Sequence, residues 1–319
     1  MNILNEIPAS FIYTYSYNEG EASLCRLEMR VLFGHNDTSA IVESSRKIDP
    51  SRSPFLRERI DVLYEASSLD NLLSQLDGLE VSNATYKVVF VHNPDLPKAQ
   101  KVRFEERRDI ERKIGLQLIG EPALKNPDKQ FAILNTTKGW TFGLYTKTEP
   151  VWLFHQKKPN MYSTALNTRT ARAVVNIAVP EPDGIEAIDP CCGIGTVVVE
   201  ALSMGINMEG SDVNPLVLGG ARENIAHFGL DGKISLQDIQ NVSGKYDAAV
   251  IDMPYNLCSV ISETEKLEML QSARRIAKRV VIVTIEPLDT ILKEAGFTIQ
   301  DRCTVKKGMV FSREVILVK

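Results

Sequence analysis

From Gly184 onward the chain alternates short apolar runs with stretches of helical periodicity, and few architectures accommodate that rhythm. Strands are expected at 185–189, 206–212, 233–237, 246–252 and 279–285, and helices at 196–204, 215–228, 263–278 and 288–295. Regular β–α alternation folds as a parallel, doubly wound sheet. Two closing runs, 297–305 and 309–318, flank Lys307-Gly308 and bring an antiparallel strand into that sheet.

The front half reads differently. An aromatic alternating run at 10–17, a helix at 20–33, a short strand at 40–42 and a helix at 69–79 suggest a small α+β domain over residues 1–80. In the helix, Leu24, Leu27, Val31 and Leu32 share one side. A second unit, 81–155, holds a strand at 86–92, an amphipathic helix at 104–118, the turn Asn126-Pro127-Asp128 and two antiparallel strands. Residues 156–182 read as a basic linker and entry helix broken by Pro180 and Pro182, and 183–319 as the α/β domain.

Charge follows these divisions. Residues 101–178 carry 14 Lys and Arg against 7 Asp and Glu, between two acidic flanks in a chain of formal charge -4. A basic block in an acidic protein suggests a face for a polyanion, with scattered solvated charge as the plain alternative. Within it, Lys157, Lys158, Arg169 and Arg172 stand in a stretch with no acidic residue and are the candidate phosphate contacts. The five cysteines show no paired metal spacing, and the four histidines are scattered, so no metal site is expected. The N-terminal residues do not look like a signal peptide, and Val280–Ile285 is too short to span a bilayer. A soluble chain in the reducing cytoplasm, with no membrane partner, is expected.

After the first strand of the α/β domain comes Asp189-Pro190-Cys191-Cys192-Gly193-Ile194-Gly195-Thr196. Gly193 and Gly195 allow a sharp turn and a ligand lying on bare main chain. A dinucleotide site would want a third glycine where Val198 stands, which argues against NAD and for a cofactor without a pyrophosphate. Asp212, followed by Val213, ends the second strand and can accept ribose hydroxyls; Asp238, followed by Ile239, ends the third and can meet an adenine amino group. A lone aspartate of this kind often only caps a turn, but three at successive strand ends point to one ligand.

The fourth strand runs into Asp252-Met253-Pro254-Tyr255. An exocyclic amine on a purine is a poor nucleophile because its lone pair is delocalised into the ring. Two acceptors can hold its N–H protons and turn the lone pair outward: the Asp252 carboxylate and the Met253 carbonyl. Pro254 stiffens the turn, and the Tyr255 ring offers a stacking face for an extruded base. The plain alternative is a strand end followed by a proline turn.

These residues resemble a known family. KPNMYSTALNTRTARAVVNIA, IDPCCGIGTVVVEA, GSDVNPLVLGGARENIAHFG and Asp252–Tyr255 are similar to the entry helix, cofactor loop, A-x-x-N segment and D-P-P-Y tetrad of THUMP-domain tRNA guanosine-N2 methyltransferases. The specific motifs cover 158–255; residues 120–150 resemble the THUMP module weakly, and 1–80 a ferredoxin-like domain more weakly. The resemblance implies a class I, Rossmann-like methyltransferase domain with a seven-stranded, mostly parallel sheet. It also implies S-adenosylmethionine as cofactor, held by Asp189, Cys192, Gly193, Gly195, Thr196, Asp212, Val213, Asp238 and Ile239, and tRNA as partner. A small activating protein is compatible with it but not specified. Met253 departs from the family's proline, which is expected to loosen the loop. Two other readings stand beside this one: an N6-adenine or glutamine-N5 methyltransferase, and a catalytically silent tRNA-binding protein. Asp rather than Asn at 252 favours guanine.

Overall fold

The computed structural model describes residues 2–254, 261–307 and 311–319, without the side chains of Lys307 and Phe311. The chain divides into two compact units: Met1–Ser16, Asp37–Ser51 and Phe55–Glu149 form the first, and Tyr17–Asn36, Arg52–Pro54 and Pro150–Lys319 the second.

The first unit is built on a seven-stranded mixed sheet of β1 (Ser10–Tyr15), β2 (Ile41–Ser44), β3 (Leu56–Ala66), β4 (Glu80–Val91), β5 (Ile119–Pro122), β6 (Lys129–Thr136) and β7 (Gly139–Lys147). The strand order is β2-β1-β3-β7-β6-β4-β5. Between β1 and β2 the chain makes α1 (Ala22–Phe33), which belongs to the second unit. Two helices cover one face of the sheet: α2 (Leu69–Leu76), started by the Ser68 hydroxyl accepting from the Asn71 amide, and α3 (Phe104–Gln117). Leu72, Leu76, Ile110 and Ile114 from these helices meet Val81, Val88, Phe131, Ile133 and Phe142. Residues 1–80 and 81–155, expected as separate domains, thus share one sheet, since β3 pairs with β7 across that boundary. Strands β3 and β5 were not expected from the sequence.

The second unit carries β8 (Glu186–Asp189), β9 (Asn207–Asp212), β10 (Ile234–Leu236), β11 (Tyr246–Asp252), β12 (Ala277–Thr284), β13 (Ile299–Lys307) and β14 (Phe311–Val318). They are ordered β10-β9-β8-β11-β12-β14-β13, with β14 antiparallel to both its neighbours and the other pairs parallel. The unit's other helices are α4 (Trp152–His155), α5 (Thr168–Ala178), α6 (Thr196–Ser203), α7 (Pro215–His227), α8 (Glu263–Ile276) and α9 (Asp289–Glu294). The expected alternation is present element by element. The order reverses between β8 and β11, which opens a crevice at the carboxyl ends of the central strands.

Two features depart from the expected boundaries. Helix α5 is not a connector: every residue from Ala171 to Ala178 is buried. Helix α1 also completes this unit. Its buried Glu28 accepts from the Asn176 amide of α5 at 2.7 Å and from the Ser53 hydroxyl at 2.5 Å. Its Arg30 makes a two-point pair with Asp301 on β13, at 2.7 and 2.9 Å. The α/β unit therefore reaches well before residue 183.

Candidate active site

The loop after β8 is shaped by glycine and by a carboxylate. Gly195 starts α6 with φ 77°, a conformation that L side chains resist. The Cys192 amide donates to the Ser211 carbonyl at 2.9 Å, laying the loop against β9. Gly210 makes room for this, since a Cβ there would stand 2.7 Å from Ile234 Cδ1 and 3.0 Å from Cys192 Sγ. The Asp212 carboxylate accepts from the Gly193 amide at 2.8 Å and from the Asn214 amide at 2.9 Å. Asp212 thus shapes the loop before it meets any ligand. Asp238 accepts from the Gln240 amide at 2.8 Å and caps the turn after β10.

A cavity of about 480 Å³ lies at the carboxyl ends of β8, β9, β10 and β11. That is the size of a small-molecule site, at the place where such sheets hold ligands. Asp189, Cys192, Gly193, Thr196, Asp212, Val213, Asp238, Ile239, Asp252, Met253 and Pro254 line it; Gly195 lies behind the lining. Tyr255 is outside the described residues. The sequence reading missed the wall formed by Tyr162, Thr164, Ala165 and Leu166. It also missed Asn224, fully buried on α7, which ties that wall to the loop. Its side chain donates to the Ile194 carbonyl at 2.9 Å and the Asn160 carbonyl at 3.1 Å, and accepts from the Asn160 amide at 2.9 Å. The A-x-x-N spacing at 221–224 was the available signal.

The cavity is strongly acidic. Asp189, Asp212, Asp238, Asp252 and Glu265 line it, and among its described residues there is no Lys or Arg. Burial pushes the Asp189 carboxyl well above its usual range, with the charge on Asp252 adding to the effect. Burial also pushes Asp252 up to about 7, with Arg313 pulling the other way. Oδ1 of Asp252 and Oγ1 of Thr196 are buried with no hydrogen-bond partner among the described residues. Buried polar atoms without partners are rare, and these two belong to residues that line one cavity.

Met253 corrects one expectation. Its amide donates to the Val283 carbonyl at 2.9 Å, extending the β11–β12 ladder by one bond. Its side chain is 4% exposed and packs with Leu270, Leu288 and their neighbours. Proline could not make that bond, so methionine secures the strand end rather than loosening it.

The four candidate phosphate contacts do not act together. Arg172 is 2% exposed, and Nη1 meets Glu200 at 2.8 Å and the Ser203 hydroxyl at 3.0 Å, while its guanidinium sits 5.4 Å from the Trp152 ring centroid. Arg169 makes a two-point pair with Glu21, both bonds 2.9 Å. Lys158 is 8% exposed, and burial lowers its pKa. Lys157 is exposed. Arg172 and Lys158 therefore cannot meet phosphate in this fold, because their charged ends are inside it.

A second cavity, about 490 Å³, opens at the other end of the same strands. Several of its polar groups are engaged: Lys233 pairs with Glu209 at 2.6 Å, Tyr246 also bonds Glu209, and Lys245 donates to the Arg275 carbonyl at 2.6 Å. Among the described residues no cluster of His, Cys, Asp and Glu has the arrangement of a metal site, and no helix is long and apolar enough to cross a membrane.

Comparison with known proteins agrees with this geometry. Residues 155–284 match the UPF0020 family model, described as an RMKL-like methyltransferase domain. The chain is also similar to the tRNA (guanine(10)-N2)-dimethyltransferase of Methanothermobacter thermautotrophicus, 29% identical over 51% of this chain and 52% of the relative. The enzyme of the same name from Pyrococcus abyssi is 29% identical over 33% of each chain. The chain thus spans about half the length of the first of these curated relatives. Among solved structures, TrmN from Thermus thermophilus is similar over 97% of this chain and 99% of its own, with a TM-score of 0.47 and 17% identity.

Proposed function

We propose that this chain is an S-adenosylmethionine-dependent tRNA methyltransferase that acts on the exocyclic N2 of a guanosine. The observation that carries the reading is the acidic cavity beside the loop after β8, with an Asp252 oxygen on its wall that has no partner among the described residues. The two curated relatives, whose names specify guanine N2 in tRNA, support the choice of substrate.

The residues fit the cofactor. Five carboxylates and no described Lys or Arg favour a cationic ligand and disfavour a pyrophosphate. Asp212 would take the ribose hydroxyls, Asp238 and Ile239 the adenine edge, and the loop from Asp189 through Cys192, Gly193 and Thr196 the remainder. S-adenosylmethionine supplies an electrophilic methyl group on a positively charged sulfur. Asp252 accepts one N–H of the guanine amine and the Met253 carbonyl accepts the other, which turns the lone pair toward the methyl group. With the N–C bond formed and the C–S bond broken, its electron pair left on the sulfur as a neutral thioether, the amine would be cationic, and the Asp252 carboxylate would stabilise it and take its proton. A carboxyl whose pKa lies near 7 suits that proton transfer at neutral pH.

Asp212→Ala is expected to weaken cofactor binding by more than its ribose hydrogen bonds are worth, about 1.5–3 kcal/mol per charged hydrogen bond, because Gly193 and Asn214 lose their anchor as well. Calorimetry showing unchanged affinity would remove Asp212 from the site.

The RNA grip falls to the first unit, which we read as the ferredoxin-like and THUMP-like part. Lys101, Arg103, Arg112 and Lys113 are exposed at and along α3, where the paired Arg169 and buried Arg172 are not. Arg112→Gln with Lys113→Gln should flatten the log–log salt dependence of tRNA binding by about 0.7–0.9 for each phosphate left without its cation. Arg172→Met should leave that slope alone. An unchanged slope in the α3 variant would make this face ordinary solvated surface. Such an enzyme would work in the cytoplasm.

The deciding experiment is nucleoside mass spectrometry of unmodified tRNA incubated with the chain and cofactor. N2-methylated guanosine is expected. N6-methyladenosine would move the reading to adenine. Cofactor and tRNA binding without any methylated nucleoside would make the chain a silent binder.

A further inference from the structure

We infer that Arg313 is a positioning residue of this site: from β14 it anchors the cavity wall at Thr164 and sets a cation on the sheet face that carries the Asp252 carboxylate. The inference rests on the methyl-transfer reading above.

The sheet register places it there. Asp252 on β11 pairs with Val283 on β12, and Val283 pairs with Val315 on β14. Partners across a sheet point to the same face, and so do residues two apart on one strand. Arg313 therefore emerges on the face of Asp252, two residues nearer the end where the cavity opens. It is 6% exposed, and its Nη2 donates to the Thr164 carbonyl at 3.0 Å. Thr164 belongs to the cavity wall.

Charge gives the contact a second role. Besides Asp252, the titratable groups around the cavity among the described residues are Asp189 at the end of β8, Cys191 and Cys192 in its loop, Asp212 at the end of β9, Asp238 after β10, and Glu265 on α8 with Tyr162 on the wall. The acidic ones all disfavour a further negative charge, and Lys266, next along α8, is engaged with Glu286. Arg313 is the cation that acts on Asp252 against burial.

A clip that only holds Thr164 and a residue that also biases Asp252 differ in one readout, the pH at which Asp252 titrates. A carboxyl with a raised folded-state pKa favours folding fully below its unfolded pKa of about 3.9, and that contribution is lost as pH rises through the folded value. The stability of Asp252→Asn relative to the parent should therefore climb from about pH 4 and level off near 7. The experiment measures this difference by urea unfolding of the full chain, without cofactor, in wild-type, Arg313→Gln and Arg313→Lys backgrounds.

In Arg313→Gln, which keeps a donor for Thr164 but no charge, the levelling-off point should move up by about one pH unit or more. In Arg313→Lys it should stay close to wild type. The pH midpoint of single-turnover methyl transfer should shift in the same order. An unmoved point in Arg313→Gln overturns the inference and leaves the function standing. Should that variant not fold, a shift in Arg313→Lys as large as one unit would overturn it instead. A wild-type chain that methylates no tRNA, with the titration shift intact, would sink the function and not the role of Arg313.

Discussion

Asp252→Ala is expected to slow single-turnover methyl transfer by about 10²–10³-fold, with cofactor and tRNA affinity nearly unchanged. Asp252 has an oxygen buried without a partner and lines the cavity, so it holds nothing else in place among the described residues. In the proposed reaction its role would begin when the amine becomes cationic. Asn at this position can still accept one hydrogen bond but carries no charge, so Asp252→Asn should fall less far than Ala and well below wild type. The wild-type kcat/KM should rise with pH through about 7, where the free-enzyme carboxyl ionises. A bound cationic cofactor favours the carboxylate, so the midpoint of kcat should lie lower. Near-normal single-turnover rates for Asp252→Ala would reduce the tetrad to a turn.

The second large effect is on stability. Arg172→Met should cost about 3–5 kcal/mol in urea unfolding, far more than removal of an exposed pair, at about 0–1 kcal/mol. Glu200 is fully buried on α6; one oxygen takes the Arg172 guanidinium, and the other lies 2.8 Å from His155 Nδ1. Without Arg172, that carboxylate is left in an apolar setting with half its compensation gone. Glu200→Gln in the same chain should recover part of the loss, because the amide needs no counter-charge. A loss under about 1 kcal/mol would mean that water reaches Glu200.

The α/β unit was legible because its signals are local. Each strand end, glycine turn and capped helix of 184–319 is written within a few residues, and Asp189, Asp212, Asp238 and Asp252 fall at strand ends that periodicity alone locates. Strand β3 was not legible, because Arg57, Glu58, Arg59 and Asp61 break its apolar alternation. The fold hides the inner two as a pair, with Arg59 Nε 2.5 Å from Asp61. The basic stretch 155–178 was visible as charge, but its partners were not. Glu21 lies 148 residues from Arg169, and Glu200 lies 28 from Arg172. Arg313 and Asn224 were missed for the same reason: each matters through a carbonyl far along the chain.

Helix α1 carries a consequence for how the molecule is made. Asn176 and Asp301, which satisfy its Glu28 and Arg30, are synthesised 148 and 271 residues after them. Contacts of such long separation close slowly. Until they close, the buried side of α1 has nothing to rest on and is a natural substrate for chaperones. Conversely, a fragment starting at Pro150 would bare the side of α5 that α1 covers, with Asn176 deprived of Glu28. Methyl transfer should therefore not survive excision of the C-terminal portion, however complete its motifs look on paper.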